Sequence, residues 1–188
     1  MARWQSGSRE RLAASALRLF ACQGFEGTTV AEIAAEAGLT ERTFFRYYAD
    51  KREVLFAGEG EFEELFLDGL RSSTSSRPME LVAAALGHAA AFFPDEKRAW
   101  SRGRQVVVTG NAALQERELH KMAALADALT SALTERSIDS TTAALAAEAT
   151  VSVFRRSFAA WIAEGESRPF GDIQRSVLDQ LQALLSPS

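Results

Sequence analysis

The sequence predicts an all-α protein of about nine helices. Three observations predict it. Alanine and leucine are abundant and prolines number only four. No stretch sustains the apolar/polar alternation that half-buried strands need. Apolar residues instead recur at i, i+3, i+4 and i+7 in one segment after another, with glycine and proline at the joints. The 188 residues, 47% hydrophobic and 24% charged, describe a globular chain long enough to bury a sizeable core.

The first helix is expected from about Ser8 to Gln23, with Leu12, Ala16, Leu19, Phe20 and Gln23 at helical spacing. Gly24 is placed to stop it in a left-handed conformation. After the turn Gly24-Phe25-Glu26-Gly27, Thr29 and Glu32 form a capping box. Val30, Ile33, Ala34 and Ala37 then make one stripe, and Gly38 ends that short helix. Thr40 caps the next, Glu41 to Tyr48. Asp50 and Glu53 read as a second capping box, opening a long fourth helix through Leu55, Phe62, Leu65 and Phe66 toward Leu70. The polar run Arg71 to Arg77 is a loop. Pro78 suits the first turn of a fifth helix ending near Phe93-Pro94. A sixth segment runs from about Asp95 to Thr109. Asn111 caps a seventh reaching about Arg136, and Asp139 or Ser140 starts an eighth that stops at Gly165. The ninth runs from Pro169 or Phe170 to Leu185.

Several function classes are disfavoured early. The single cysteine, Cys22, excludes an internal disulfide framework and a cysteine zinc cluster. It reads as a small buried hydrophobe rather than a redox sensor. No apolar run reaches the ~18 residues of a membrane span. No signal-type stretch opens the chain, so a cytoplasmic location is expected. No nucleophile, metal-ligand or phosphate-loop motif is present. An enzyme, a cofactor and a metal site are therefore not expected. The net charge of -4 first argues against a polyanionic partner. Its distribution changes that: residues 1–57 carry eight Lys/Arg and seven Asp/Glu, and the rest thirteen and eighteen. The excess acid lies wholly in the second part.

The segment Thr28 to Lys51 carries the chemistry. Two short helices joined by a tight glycine turn give the helix-turn-helix layout, whose second helix enters the DNA major groove. Leu39, Phe44 and Tyr48 are expected to face the core. Arg42, Thr43, Phe45, Arg46 and Tyr47 are then left outward. Arginine bonds bidentately to guanine, Thr and Tyr hydroxyls donate to phosphate, and phenylalanine packs on a thymine methyl. Thr29 and Lys51 sit at the starts of neighbouring helices, where the dipole favours phosphate. The plainer reading is that Thr29, Thr40 and Asp50 are only caps and the aromatic run is only core. What weighs against it is the set Arg42, Arg46, Tyr47 and Lys51 on the side the inner stripe leaves free.

The ordered set Leu19-Phe20, Gly24-Phe25, Thr28-Thr29-Val30, Ile33-Ala34, Ala37-Gly38-Leu39-Thr40, Thr43-Phe44-Phe45-Arg46-Tyr47-Tyr48 and Lys51 resembles the N-terminal DNA-binding domain of the TetR family of bacterial transcriptional repressors. The resemblance covers roughly Arg9 to Leu55. It implies that Thr29 and Lys51 contact phosphate and that Thr40, Arg42, Thr43, Phe45, Arg46 and Tyr47 form the reading surface. The chain departs from the family at Glu41, often lysine, at Arg42, often glycine, and at Phe45, often tyrosine. Glu41 then accepts from a cytosine amino group or points to solvent, and Arg42 becomes the best base reader.

The resemblance divides the chain into a DNA-binding domain, 1–55, and an effector-binding and dimerisation domain, 56–188. It implies a homodimer on a palindromic double-stranded operator, released by a small molecule, with no membrane partner. Compatible residues for an apolar or acyl-like effector are Phe62, Phe66, His88, Phe92, Trp100, Arg104, His120, Phe154 and Phe158. Arg102 and Arg104 suit an anionic head group. The eighth helix is apolar on more than one face, which fits burial on two sides. Ala143, Ala147 and Val151, with Ile173, Val177 and Leu181 on the ninth, are the expected dimer interface. In the mechanism that follows, effector shifts the fourth helix, which joins both parts. The rival reading, a helical carrier of apolar ligands, leaves the outward cations unexplained.

Overall fold

The computed structural model describes residues 2–185, and its side chains from residue 7 to residue 184. Those residues form nine α-helices and no strand: α1 Ala2–Gln23, α2 Val30–Glu36, α3 Glu41–Tyr47, α4 Glu59–Ser72, α5 Pro78–Ala89, α6 Arg98–Thr109, α7 Ala112–Glu135, α8 Ser140–Trp161 and α9 Phe170–Leu185. The chain divides into two compact units. One comprises Met1–Gly58 and Arg102–Glu118, the other Glu59–Ser101 and Leu119–Ser188. None of the described helices is long and apolar enough to cross a membrane.

The first unit closes around one core. α1 contributes Leu12, Ala16 and Phe20, α2 Ile33 and Ala34, and α3 Phe44. Val107, Val108 and Leu114, from the α6–α7 junction, complete it. The α2 C-terminus is a Schellman motif. The Leu39 N–H donates to Ala34 O at 2.8 Å and that of Gly38 to Ala35 O at 3.0 Å. The motif requires a left-handed residue, and Gly38 has φ +67°. That turn sets the angle at which α3 leaves α2.

Three expectations need correction here. α1 starts at Ala2, not near Ser8. Cys22 is exposed, because the helix face that buries Phe20 turns Cys22 to solvent. The long fourth helix is two pieces, a 3-10 turn over Glu53–Phe56 and α4 from Glu59. Gly58 sits between them at φ +84°, a conformation that breaks a right-handed helix. Asp50 does cap the 3-10 turn, accepting from the Arg52 and Glu53 N–H groups at 2.8 and 3.2 Å. Glu53 does not complete the box. Its carboxylate pairs with Arg117 at 3.0 Å.

The second unit packs α4, α5, α8, α9 and most of α7 around Phe62, Phe66, Leu81, Leu125, Ala147, Phe154, Trp161 and Phe170. α4 crosses α5 at Gly69, where an added Cβ would lie 2.5 Å from Ala84 O and 2.6 Å from Ala85 Cα. Only glycine permits that approach. Asn111 and Asp139 cap α7 and α8 as expected, accepting from Leu114 N–H and Thr142 N–H at 3.1 Å each.

The α8–α9 connection is tied by Glu166, which accepts from the Ser167 and Arg168 N–H groups at 2.9 Å each and from the Arg168 guanidinium. The Arg168 guanidinium, chiefly, and these amides lower its pKa from 4.5 to about 2. A depressed carboxylate stabilises the fold above its unfolded pKa, and that contribution is lost as pH falls through the folded value. Glu166 is therefore expected to stay ionised well below pH 4.5, and its own contribution to this connection is lost only toward about pH 2. Carboxyl carbon chemical shifts against pH check this, and a Glu166 midpoint near 4.5 contradicts it.

Candidate functional site

α3 presents its two faces as the apolar spacing requires. Phe44 and Tyr48 are buried, one turn apart, with ring centroids 5.4 Å apart. Leu39 is half-buried against the same core. On the opposite side Arg42, Phe45 and Arg46 are exposed, and Thr43 and Tyr47 are half-buried. Phe45 is 54% exposed, so its ring is free to contact a surface outside the chain. Arg46 lies over the Tyr47 ring at 4.9 Å and donates to its hydroxyl at 3.0 Å. Two planar, hydrogen-bonding side chains thus form one patch.

Both threonine caps form. Thr40 Oγ1 accepts from Thr43 N–H at 3.2 Å. At α2 the box is reciprocal: Thr29 Oγ1 accepts from Glu32 N–H, while the Thr29 N–H and hydroxyl both donate to Glu32 at 2.8 Å. These bonds, the backbone one first, hold the Glu32 carboxyl below its ordinary range. Thr29 and Thr40 are exposed, and Glu41 points to solvent beside Arg42. Lys51 differs from the rest. Its ammonium donates to the carbonyls of Phe25 at 2.7 Å, Thr28 at 2.9 Å and Glu26 at 3.4 Å.

The residues expected around an effector divide into two sets. Phe62, Phe66, Phe92, Phe154 and Phe158 come together in the second unit. Phe154 is central, 5.0 Å from Phe62, 5.7 Å from Phe66 and 6.1 Å from Phe158 between centroids. Phe93 and Trp161 join them, as does Phe170, which lies 4.8 Å from Phe93. Phe170 was visible in the sequence only as a helix start. The polar candidates lie elsewhere. His88 and His120 are exposed, as is Trp100. Arg104 is buried in the first unit, donating to Leu55 O at 2.7 Å and to Glu118 at 2.5 Å. Its guanidinium lies over the Phe56 ring, 4.8 Å from the centroid, and that of Arg117 lies 4.9 Å from the same centroid. No spacing rule could have found that pairing across some fifty residues of sequence.

Of the expected dimer residues, Ala143, Ala147, Val151 and Ile173 are buried in the second unit's own core. Val177 and Leu181 are half-buried at its edge, and Leu145 and Leu184 are 68% and 83% exposed.

A helix-turn-helix presenting basic and aromatic side chains, on an otherwise all-helical chain, defines a DNA-binding regulator. Comparison with known proteins gives the family. A model of the bacterial regulatory proteins of the tetR family matches residues 12–57. A model of the MftR C-terminal domain matches residues 76–186, more than half of the chain. The chain belongs to the TetR family of transcriptional regulators. It is 37% identical over 79 residues to the HTH-type transcriptional regulator TcmR of Streptomyces glaucescens, a match covering 42% of this chain and 35% of TcmR. The chain spans about a third or less of the length of the curated relatives it matches. Among solved structures it resembles the regulator FadR of Bacillus subtilis, in complex with stearoyl-CoA, at TM-score 0.63 and 18% identity over 92% of this chain and 96% of that one. SmeT, repressor of the Stenotrophomonas maltophilia multidrug efflux pump SmeDEF, gives 0.57 and 20% over 94% and 89%. These relatives and neighbours are transcriptional regulators, not enzymes.

Proposed function

We propose that the chain is a cytoplasmic, ligand-responsive repressor that binds a palindromic double-stranded operator as a homodimer. The observation that carries this reading is the outer face of α3. There Arg42, Phe45 and Arg46 stand exposed while Phe44 and Tyr48 anchor the helix from behind. Arg42 is the principal base reader, bidentate to a guanine, and Phe45 packs on a thymine methyl. Thr29, Thr40, Thr43 and Tyr47 set register on phosphates. Two such helices one turn of DNA apart require a two-fold axis. The dimer face is the side of α8 and α9 carrying Leu145, Val177, Leu181 and Leu184, since Ala143, Ala147, Val151 and Ile173 already pack within the unit while Leu145 and Leu184 stand exposed and Val177 and Leu181 are only half-buried.

The effector is apolar or amphipathic, and it inserts at the half-buried rim Phe92, Phe93 and Phe158 of the aromatic cluster. FadR, a structural neighbour, is seen with stearoyl-CoA. An acyl chain suits such a cluster, with Arg104 excluded as its partner by the bonds it already makes. Effector acts by binding one of two states more tightly, releasing the operator.

A duplex selected from a random pool by the wild-type chain tests the reading. Arg42→Ala is expected to weaken binding to it by about 1–3 kcal/mol and to relax preference at one base pair per half-site. Gel retardation against single-base variants checks this. Unchanged affinity and unchanged preference would remove Arg42 from the reading face. A thermal-shift screen over fatty acids and acyl thioesters tests the effector class, because a ligand of the folded state alone raises Tm. A helical carrier, the rival, would show the shift and select no duplex.

A further inference from the structure

We infer that Lys51 is a positioning residue that shapes the turn ahead of α2, and not a phosphate contact. The inference rests on the DNA-binding reading above. The turn from Gly24 to Thr28 leaves backbone carbonyls that no helix satisfies. Such groups need a partner if the turn is to hold one shape. Thr28 Oγ1 donates to Gly24 O at 2.8 Å and closes one side. The other side converges on Lys51, whose Nζ lies 2.7 Å from Phe25 O, 2.9 Å from Thr28 O and 3.4 Å from Glu26 O. An ammonium has three hydrogens, and three acceptors surround this one. The buried Phe25 ring completes the cup, 4.5 Å from Nζ.

A phosphate oxygen would have to displace one of those carbonyls. The residue that immediately follows the clamped Thr28 is Thr29, the cap of α2. Through Thr28 O, Lys51 fixes where α2 begins, and the Schellman turn at Gly38 carries that placement to α3.

Two variants separate positioning from contact. Lys51→Met keeps the stem and removes the ammonium. Lys51→Arg keeps the cation on a planar fork, which suits a phosphate better than three carbonyls around one nitrogen. Affinity for the selected duplex is measured per folded molecule, as log K against log salt. Both variants are expected to bind about tenfold more weakly at every salt concentration, on lines parallel to the wild type. In the free protein, amide exchange at Thr28, whose N–H faces Phe25 O at 3.4 Å, should quicken in both.

A Lys51→Met line flatter by about 0.9, the loss of one phosphate, would overturn the inference. Wild-type affinity in either variant would do the same. Should Lys51→Met fail to fold, Lys51→Arg decides alone: weaker binding supports positioning, and wild-type binding overturns it. If the wild-type chain selects no duplex at all, the DNA-binding reading fails instead.

Discussion

Phe154→Ala is expected to destabilise the second unit by about 3–5 kcal/mol, the range for truncating a fully packed aromatic ring. Phe154 is 5% exposed and meets the rings of Phe62, Phe66, Phe93, Phe158 and Phe170 within 6.1 Å. Most of these contacts are edge-to-face or tilted, the arrangements aromatic rings prefer. Removing the central ring leaves five others facing a void, and rings on α4, α8, α9 and the connection after α5 cannot all move in to fill it. Urea unfolding followed by tryptophan fluorescence, to which Trp161 in the cluster contributes, measures the loss. A change under 1 kcal/mol would mean that the cluster collapses readily. The same void is a test of the effector reading: a small apolar ligand that enters the wild-type cluster should stabilise the variant more than the wild type.

The sequence made some of this legible and concealed the rest for identifiable reasons. Local chemistry was readable wherever one residue decides one turn. Thr29 with Glu32, Thr40, Asn111 and Asp139 all cap the helices their spacing indicates. The inner stripe Ile33, Ala34 and Ala37 is buried, and so is the pair Phe44 and Tyr48. Those readings need only helical period and hydrogen bonds within three residues. The fourth helix failed because a helical pattern runs through Leu55 and Phe62 on either side of Gly58, and periodicity does not register a single left-handed residue. Cys22 failed because an apolar residue near a helix end falls on either face. The dimer residues show a subtler limit. A helix apolar on several sides must be buried on several sides, but Ala143, Ala147 and Val151 already meet neighbours in their own unit. Period cannot say whether a partner is the same chain or another copy.

The polar residues were the least legible, and Arg104 shows why most sharply. Charge and type suggested an anion-binding group, and only tertiary contacts reveal its bonds to Leu55 O and Glu118. Arg104→Met is expected to destabilise the first unit by about 3 kcal/mol or more. Arg104 is buried, 6% exposed, so removal of its guanidinium leaves Leu55 O without that donor and Glu118 without that cation. Breaking one side of a buried pair costs more than the pair itself contributes, because the remaining group keeps its desolvation. The Glu118 side chain is 25% exposed, so its share of the penalty is smaller than for a fully buried carboxylate. Arg104→Met with Glu118→Leu should accordingly recover part of the loss, whereas Glu118→Leu alone leaves Arg104 its bond to Leu55 O. A double-mutant cycle in urea measures that coupling. An effector contact predicts the reverse pattern: near wild-type stability in Arg104→Met, and a lost thermal shift with acyl ligands. Stability lost with the ligand response retained would establish Arg104 as a brace that holds the 3-10 turn at Leu55 and Phe56 against the α6–α7 junction.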